Sequence, residues 1–215
     1  MTKPAFDLRL YLVVGRGDCA GRPLVEVVEA AVAGGVTLVQ LREKQLHSAE
    51  LAALARELLA VLRPLGIPLI VNDDLEAALA SDADGLHVGQ QDLDAGEARR
   101  KLGPDRILGL SISTDAEAHA VDPRIVDYLG IGPVHATPTK TDAGPALGPA
   151  GTARLRRRWP AIPACAIGGI KAENAAEVMA TGVDGLAVVS AIAGAPDPRA
   201  AAEDLRNAML RARPG

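Results

Sequence analysis

The sequence has few aromatic residues, few cysteines and no surplus of positive charge, and each shortage removes a class of function. Its 215 residues hold four aromatics, Phe6, Tyr11, Tyr128 and Trp159, too few to build the stacking platforms on which single-stranded nucleic acid lies. Lys and Arg number 23 against 27 Asp and Glu, a net charge of −4, so no broad positive field draws a polynucleotide or an anionic membrane. Any anion this chain binds must be met by local groups. Cys19 and Cys165 lie far apart without a C-x-x-C spacing, which signals neither a disulfide framework nor a zinc site and reads as two buried thiols. No apolar run approaches the roughly 18 residues of a membrane span. The first thirty residues carry Lys3, Asp7, Arg9, Arg16, Asp18 and Arg22 where a signal peptide needs an unbroken hydrophobic stretch. The expectation is a cytoplasmic protein with neither nucleic-acid nor membrane partners.

With 48% hydrophobic and 23% charged residues, the chain has the composition of an ordinary globular fold. Short runs rich in Val, Ile and Leu fall at 8–14, 36–41, 68–72, 84–88, 107–111, 126–131, 163–168 and 184–189. Each is followed by a stretch of helical period, at 24–33, 48–63, 74–80, 94–101, 114–120, 149–158, 172–180 and 198–211. Alternation of this kind marks βα units on a parallel sheet. Eight units of roughly 27 residues each predict one α/β domain over 1–215, a compact (β/α)8 TIM barrel. Gly34, Gly66 and Gly182 follow helical stretches, where left-handed caps are expected. Asp84, Asp127 and Asp184 open strands 4, 6 and 8, at the end of a barrel that serves stability. The long irregular segment 132–148 suits a loop that closes over a ligand.

In such a barrel the chemistry sits on the loops that follow the strands. Strand 2 ends in Gln40-Leu41-Arg42-Glu43-Lys44; alternation sends Gln40, Arg42 and Lys44 to one side, where a planar guanidinium and a mobile ammonium suit a polyphosphate. Asp73 after strand 3 and Asp92 after strand 4 together offer the one or two carboxylates that Mg2+ takes from protein. Asp74 and Asp94 read instead as helix N-caps. Ser111 follows strand 5, and Thr137-Pro138-Thr139-Lys140 lies in the segment after strand 6, an anion-binding composition. Gly168-Gly169 after strand 7 and Val189-Ser190 after strand 8 fall where barrels bind phosphate with bare backbone N–H groups. Two anion sites on one face imply two phosphorylated substrates. No acid–base pair stands out: His87 reads as a core histidine, and His47 and His119 as exposed helix positions. The protein is therefore expected to work by positioning substrates and stabilising a departing anion.

The motifs QLREK, VNDD, HVGQQD, GLS, TPTK, IGGI and VVSAI, in this order at the ends of strands 2 to 8, resemble those of the thiamine-phosphate synthase family, and the resemblance covers nearly the whole chain. It implies transfer of a hydroxymethylpyrimidine group from its diphosphate to the nitrogen of a thiazole phosphate, plain or carboxylated, giving thiamine monophosphate and pyrophosphate. Carried over by position, Gln40 and Asn72 would contact the pyrimidine, Arg42, Lys44, Ser111 and Lys140 the diphosphate, and Asp73 and Asp92 the Mg2+. Arg42, Lys44, Ser111 and Lys140 would be the catalytic set. Thr137, Pro138, Thr139, Gly169, Val189 and Ser190 would hold the thiazole phosphate. The implied reaction is dissociative, with pyrophosphate leaving before the thiazole nitrogen attacks. A homo-oligomer is compatible with this reading.

One departure stands out. Family members read GPVF or GPIY followed by Pro, whereas this chain has Gly132-Pro133-Val134-His135-Ala136, so a looser loop and a weaker thiazole site are expected. The alternatives are a thiazole tautomerase, whose relatives lack the full diphosphate set, a non-catalytic phosphate-binding barrel, and a sugar-phosphate enzyme, which would need an acid–base pair across the barrel mouth.

Overall fold

A computed structural model describes residues 3–137 and 144–211. Eight strands, β1 (Leu10–Val14), β2 (Leu38–Leu41), β3 (Leu69–Asn72), β4 (Gly85–Val88), β5 (Ile107–Ile112), β6 (Tyr128–Ile131), β7 (Ala164–Ile167) and β8 (Gly185–Val188), pair in parallel and in sequence order into a closed barrel, β8 returning to β1. Around them run α1 (Leu24–Ala33), α2 (Ser48–Leu62), α3 (Leu75–Ser81), α4 (Ala95–Leu102), α5 (Asp115–Ala120), α6 (Gly148–Arg158), α7 (Ala172–Met179), α8 (Ser190–Ala193) and α9 (Pro198–Arg211).

The strands read as continuous apolar runs because both their faces are covered, yet alternation divides them between two cores. Leu10, Leu12, Val39, Leu41, Leu69, Val71, Leu86, Leu108 and Leu186 point outward and pack beneath the helices. Tyr11, Leu38, Ile70, Ile107, Tyr128, Cys165 and Ala187 point inward and fill the barrel. Helix α2 shows how the outer layer is fastened: Leu51, Leu54, Leu58 and Leu62 recur at helical spacing and are buried. Asp74 and Asp94 do cap α3 and α4, accepting from Ala77 N at 2.7 Å and Glu97 N at 3.0 Å.

The three strand-opening aspartates share one task. Asp84 accepts from Leu69 N at 2.9 Å, Asp127 from Leu108 N at 2.8 Å and Asp184 from Ala164 N at 2.8 Å. Each carboxylate thus satisfies an N–H of the preceding strand at the base of the barrel, where the ladder has not yet begun.

Two local expectations need correction. Gly66 and Gly182 are left-handed, but Gly34 has φ −82° and is right-handed; Gly35 takes the positive φ instead. Gly34 is needed for space, since a Cβ there would meet Arg199 O at 2.3 Å. Strand β8 is also not followed directly by the long final helix, because α8 intervenes, too short to show a helical period in sequence.

Candidate functional site

At the C-terminal rim of β2 to β5 the anticipated residues converge. Asn72 ends β3, and Asp73 follows with φ +62°, a left-handed conformation that Asp tolerates better than most residues. This turn places the Asp73 carboxyl against that of Asp92, to which it is hydrogen-bonded. Asp92 is itself held by Gly89 N at 2.8 Å. Burial first, and then the Asp92 carboxylate beside it, push Asp73 up to about 7, while the Asn72 amide and the Arg42 charge pull the other way. Two carboxyls this close share a proton when no cation separates them.

That donor set fits Mg2+. It supplies two carboxylates and leaves the remaining positions to water and phosphate oxygens. A divalent charge would relieve the repulsion that raises Asp73. Among the described residues no group of three or more His, Cys, Asp or Glu converges anywhere.

Strand β2 ends at Leu41, so its alternation does not extend to Arg42 and Lys44. Arg42 is half-buried and close enough to act on Asp73; Lys44 lies exposed in the bend that follows. Gln40 points into the barrel, almost fully buried, and its Nε2 donates to Tyr11 Oη at 2.5 Å. Ser111 sits at the mouth end of β5, its carbonyl held by Gln90 Nε2 at 2.7 Å.

The sequence reading missed the groups between Gln40 and Ser111. Tyr11 Oη lies 2.7 Å from Tyr128 Oη, Tyr128 Oη lies 2.9 Å from His87 Nδ1, and His87 Nε2 lies 2.8 Å from Ser111 Oγ. His87 is buried, as expected of a core histidine, but its ring links two residues of the site. Burial raises both tyrosine hydroxyls well above their ordinary range, so they stay neutral and act through hydrogen bonds. Cys165, pushed up to about 12 by burial, is an inert thiol in the same interior.

Across the rim, the segment after β6 lies on the loop after β7: Val134 N donates to Ile167 O at 2.9 Å and His135 N to Gly168 O at 3.0 Å. Gly168 and Gly169 both have positive φ, and a Cβ on Gly169 would meet His135 Cβ at 2.7 Å. Asn174, which sequence reading passed over, fixes Gly169 O through Nδ2 at 3.0 Å. Val189 precedes α8, and Ser190, exposed, opens it. Thr137 closes the described part of the loop; Pro138, Thr139 and Lys140 lie outside the described residues. His135 carries the one buried side-chain polar atom without a hydrogen-bond partner among the described residues, Nε2.

Comparison with known proteins gives the family and the fold. The chain matches the thiamine monophosphate synthase family over residues 10–192. It is 51% identical over 208 residues to the thiamine-phosphate synthase of Azorhizobium caulinodans, covering 97% of this chain and 98% of that one. To the enzyme of the same name from Xanthobacter autotrophicus it is 51% identical over 213 residues, covering 99% and 100%. Its fold is similar to that of the thiamine phosphate pyrophosphorylase from Pyrococcus furiosus, with a TM-score of 0.86 and 36% identity over 95% of this chain and 96% of that one. The relatives bear the name of the transferase that the strand-end motifs imply. The chain belongs to the thiamine monophosphate synthase family.

Proposed function

We propose that this protein joins hydroxymethylpyrimidine diphosphate to hydroxyethylthiazole phosphate, or its carboxylated form, releasing pyrophosphate. The observation that carries the reading is the Asp73–Asp92 pair with Arg42 beside it, on the same rim as the glycine-rich Gly168-Gly169 turn. One half of the mouth suits a metal-bound diphosphate and the other a single phosphate met by backbone N–H groups.

Gln40 and Asn72 would orient the pyrimidine. Arg42, Lys44, Lys140 and Ser111 would donate to the diphosphate oxygens and strengthen those bonds as charge builds on the leaving group. Asp73 and Asp92 would hold Mg2+, which supplies neutralisation of that charge when bound. Thr137, Pro138, Thr139, Gly169, Val189 and Ser190 would seat the thiazole phosphate so that its nitrogen lies close to the carbon that the diphosphate leaves. With no acid–base pair in this set, rate would come from positioning and charge stabilisation.

The His135-Ala136 departure bears on the thiazole half, where activity is expected with weakened thiazole binding. The test is incubation of purified protein with both substrates, with Mg2+ or with EDTA, following product as fluorescent thiochrome. Metal-dependent product supports the reading. No product beside a working positive control overturns it in favour of the tautomerase or binding-barrel alternative.

A further inference from the structure

The polar chain through the barrel interior has a direction. Gln40 Nε2 donates to Tyr11 Oη and Gln40 is also hydrogen-bonded to Tyr128; with its other neighbour a donor, Tyr11 has Tyr128 Oη, at 2.7 Å, as the acceptor for its single proton. Tyr128, having accepted, gives its own proton to His87 Nδ1. A neutral imidazole whose Nδ1 accepts carries its proton on Nε2, and that proton goes to Ser111 Oγ. Ser111 is left with its own O–H to give, and no inward group among the described residues to give it to. We infer that Tyr11, Tyr128 and His87 are positioning residues that hold the Ser111 hydroxyl as an outward donor while committing the Gln40 amide nitrogen inward, so that both ends of the pyrimidine diphosphate site are set by one relay.

The barrel is built around this relay. A Cβ on Gly109 would meet Tyr128 Cζ at 2.2 Å and His87 Nδ1 at 2.4 Å, and a Cβ on Gly130 would meet His87 Cε1 at 3.2 Å. Glycine inside a strand ordinarily weakens it, and here two of them, on β5 and β6, clear the volume that the two rings occupy. The rings also pack on one another, Tyr11 edge-on to Tyr128 at 5.9 Å between centroids and His87 at 5.4 Å. A purely apolar interior would fill the same space without five hydrogen-bonding side chains in series.

The inference rests on the proposed function for what Ser111 touches, but the direction of the relay can be read without turnover. Imidazole 15N shifts of the ligand-free protein are expected to show His87 protonated at Nε2 and bare at Nδ1. A proton on Nδ1 would reverse the chain and overturn the inference. In turnover, Tyr128→Phe keeps the ring and removes the donor to Nδ1; kcat is expected to fall roughly tenfold with the thiazole-phosphate KM little changed, beside a melting temperature lowered by the unpaired Tyr11 and His87 groups. In a Ser111→Ala background the same substitution is expected to cost no more than about twofold, because it acts through Ser111. Full multiplication of the two losses would refute the relay. His87→Gln, whose amide nitrogen can take the place of Nε2, should retain more activity than His87→Asn, which cannot reach Ser111; the opposite order counts against it. Should the wild type form no product at all, the proposed function falls, while the tautomer measurement still decides the relay.

Discussion

Asp73 shows how much one residue states about its surroundings. Its acidity is weakened to about 7 by burial and by the Asp92 carboxylate, so the folded protein holds this proton more tightly than the unfolded chain, where an aspartate titrates near roughly pH 4. Linkage then has a definite sign. Without a divalent cation the group is silent below about pH 4, and stability is lost as pH rises from there through about 7. Asp73→Asn, which also tolerates the left-handed backbone, is expected to remove that part of the decline. Thermal melts of the two proteins from pH 4 to 8 test it: the wild-type melting temperature should fall more steeply, and added Mg2+ should restore it at pH 8. Parallel curves would mean that the two carboxyls do not share a proton. On the other side of the mouth, Ser190→Asp should set a negative charge against the incoming thiazole phosphate and raise its KM roughly tenfold or more, with the diphosphate KM unaffected; a normal KM would remove Ser190 from that site. The placing of Asp73, Asp92 and Ser190 at the mouth was legible in the sequence because each lies within a few residues of a strand's C-terminal end. His87 was not, because its meaning depends on Tyr11 and Tyr128, which are distant in sequence and meet it only when the barrel closes.

At the scale of elements, the strands declared themselves by apolar runs, and all eight helical stretches anticipated from sequence correspond to helices with ends displaced by no more than a residue or so. What the pattern concealed is the work of glycines inside strands. Gly109 sits in β5 between Leu108 and Leu110, and its partners in register are His87 on β4 and Tyr128 on β6. A run such as ILGLSI reads simply as a strand with a gap. The signal that could have exposed the relay is parity: Tyr11, Gln40, His87, Ser111 and Tyr128 all occupy inward positions of their strands, where a barrel core usually holds branched apolar side chains. Gly109→Ala tests the gap directly. The added methyl would press on Tyr128 and His87, an overpacking cost of about 1–3 kcal/mol, and should lower both the melting temperature and kcat. If melting alone changes, the rings have moved without disturbing Ser111.

The whole molecule divides its labour between the two ends of the barrel. The mouth carries the strained Asp73, the paired carboxyls and the positive-φ pair Gly168-Gly169, while the base carries the three aspartates that bind neighbouring strands. Asp127 is the most connected of these. Besides Leu108 N it accepts from Arg99 Nη2 at 2.6 Å, and its other oxygen meets Lys3, so it ties β5, β6, α4 and the N-terminal segment together. Phe6 of that segment packs on Tyr128 from below, 5.8 Å between ring centroids, which closes the interior at the end away from the mouth. Asp127→Ala leaves the Leu108 N–H and a partly buried Arg99 without their acceptor, a loss of about 2 kcal/mol. In a chain of this size that lowers the melting temperature by roughly 4–8 °C. Because the mouth is built on the opposite ends of the strands, kcat and both KM values at 25 °C should stay within about twofold of wild type. A fall in kcat without loss of stability would mean that the base is coupled to the mouth, and the path available for that coupling is Tyr128, which follows Asp127 directly and is the relay's link to His87.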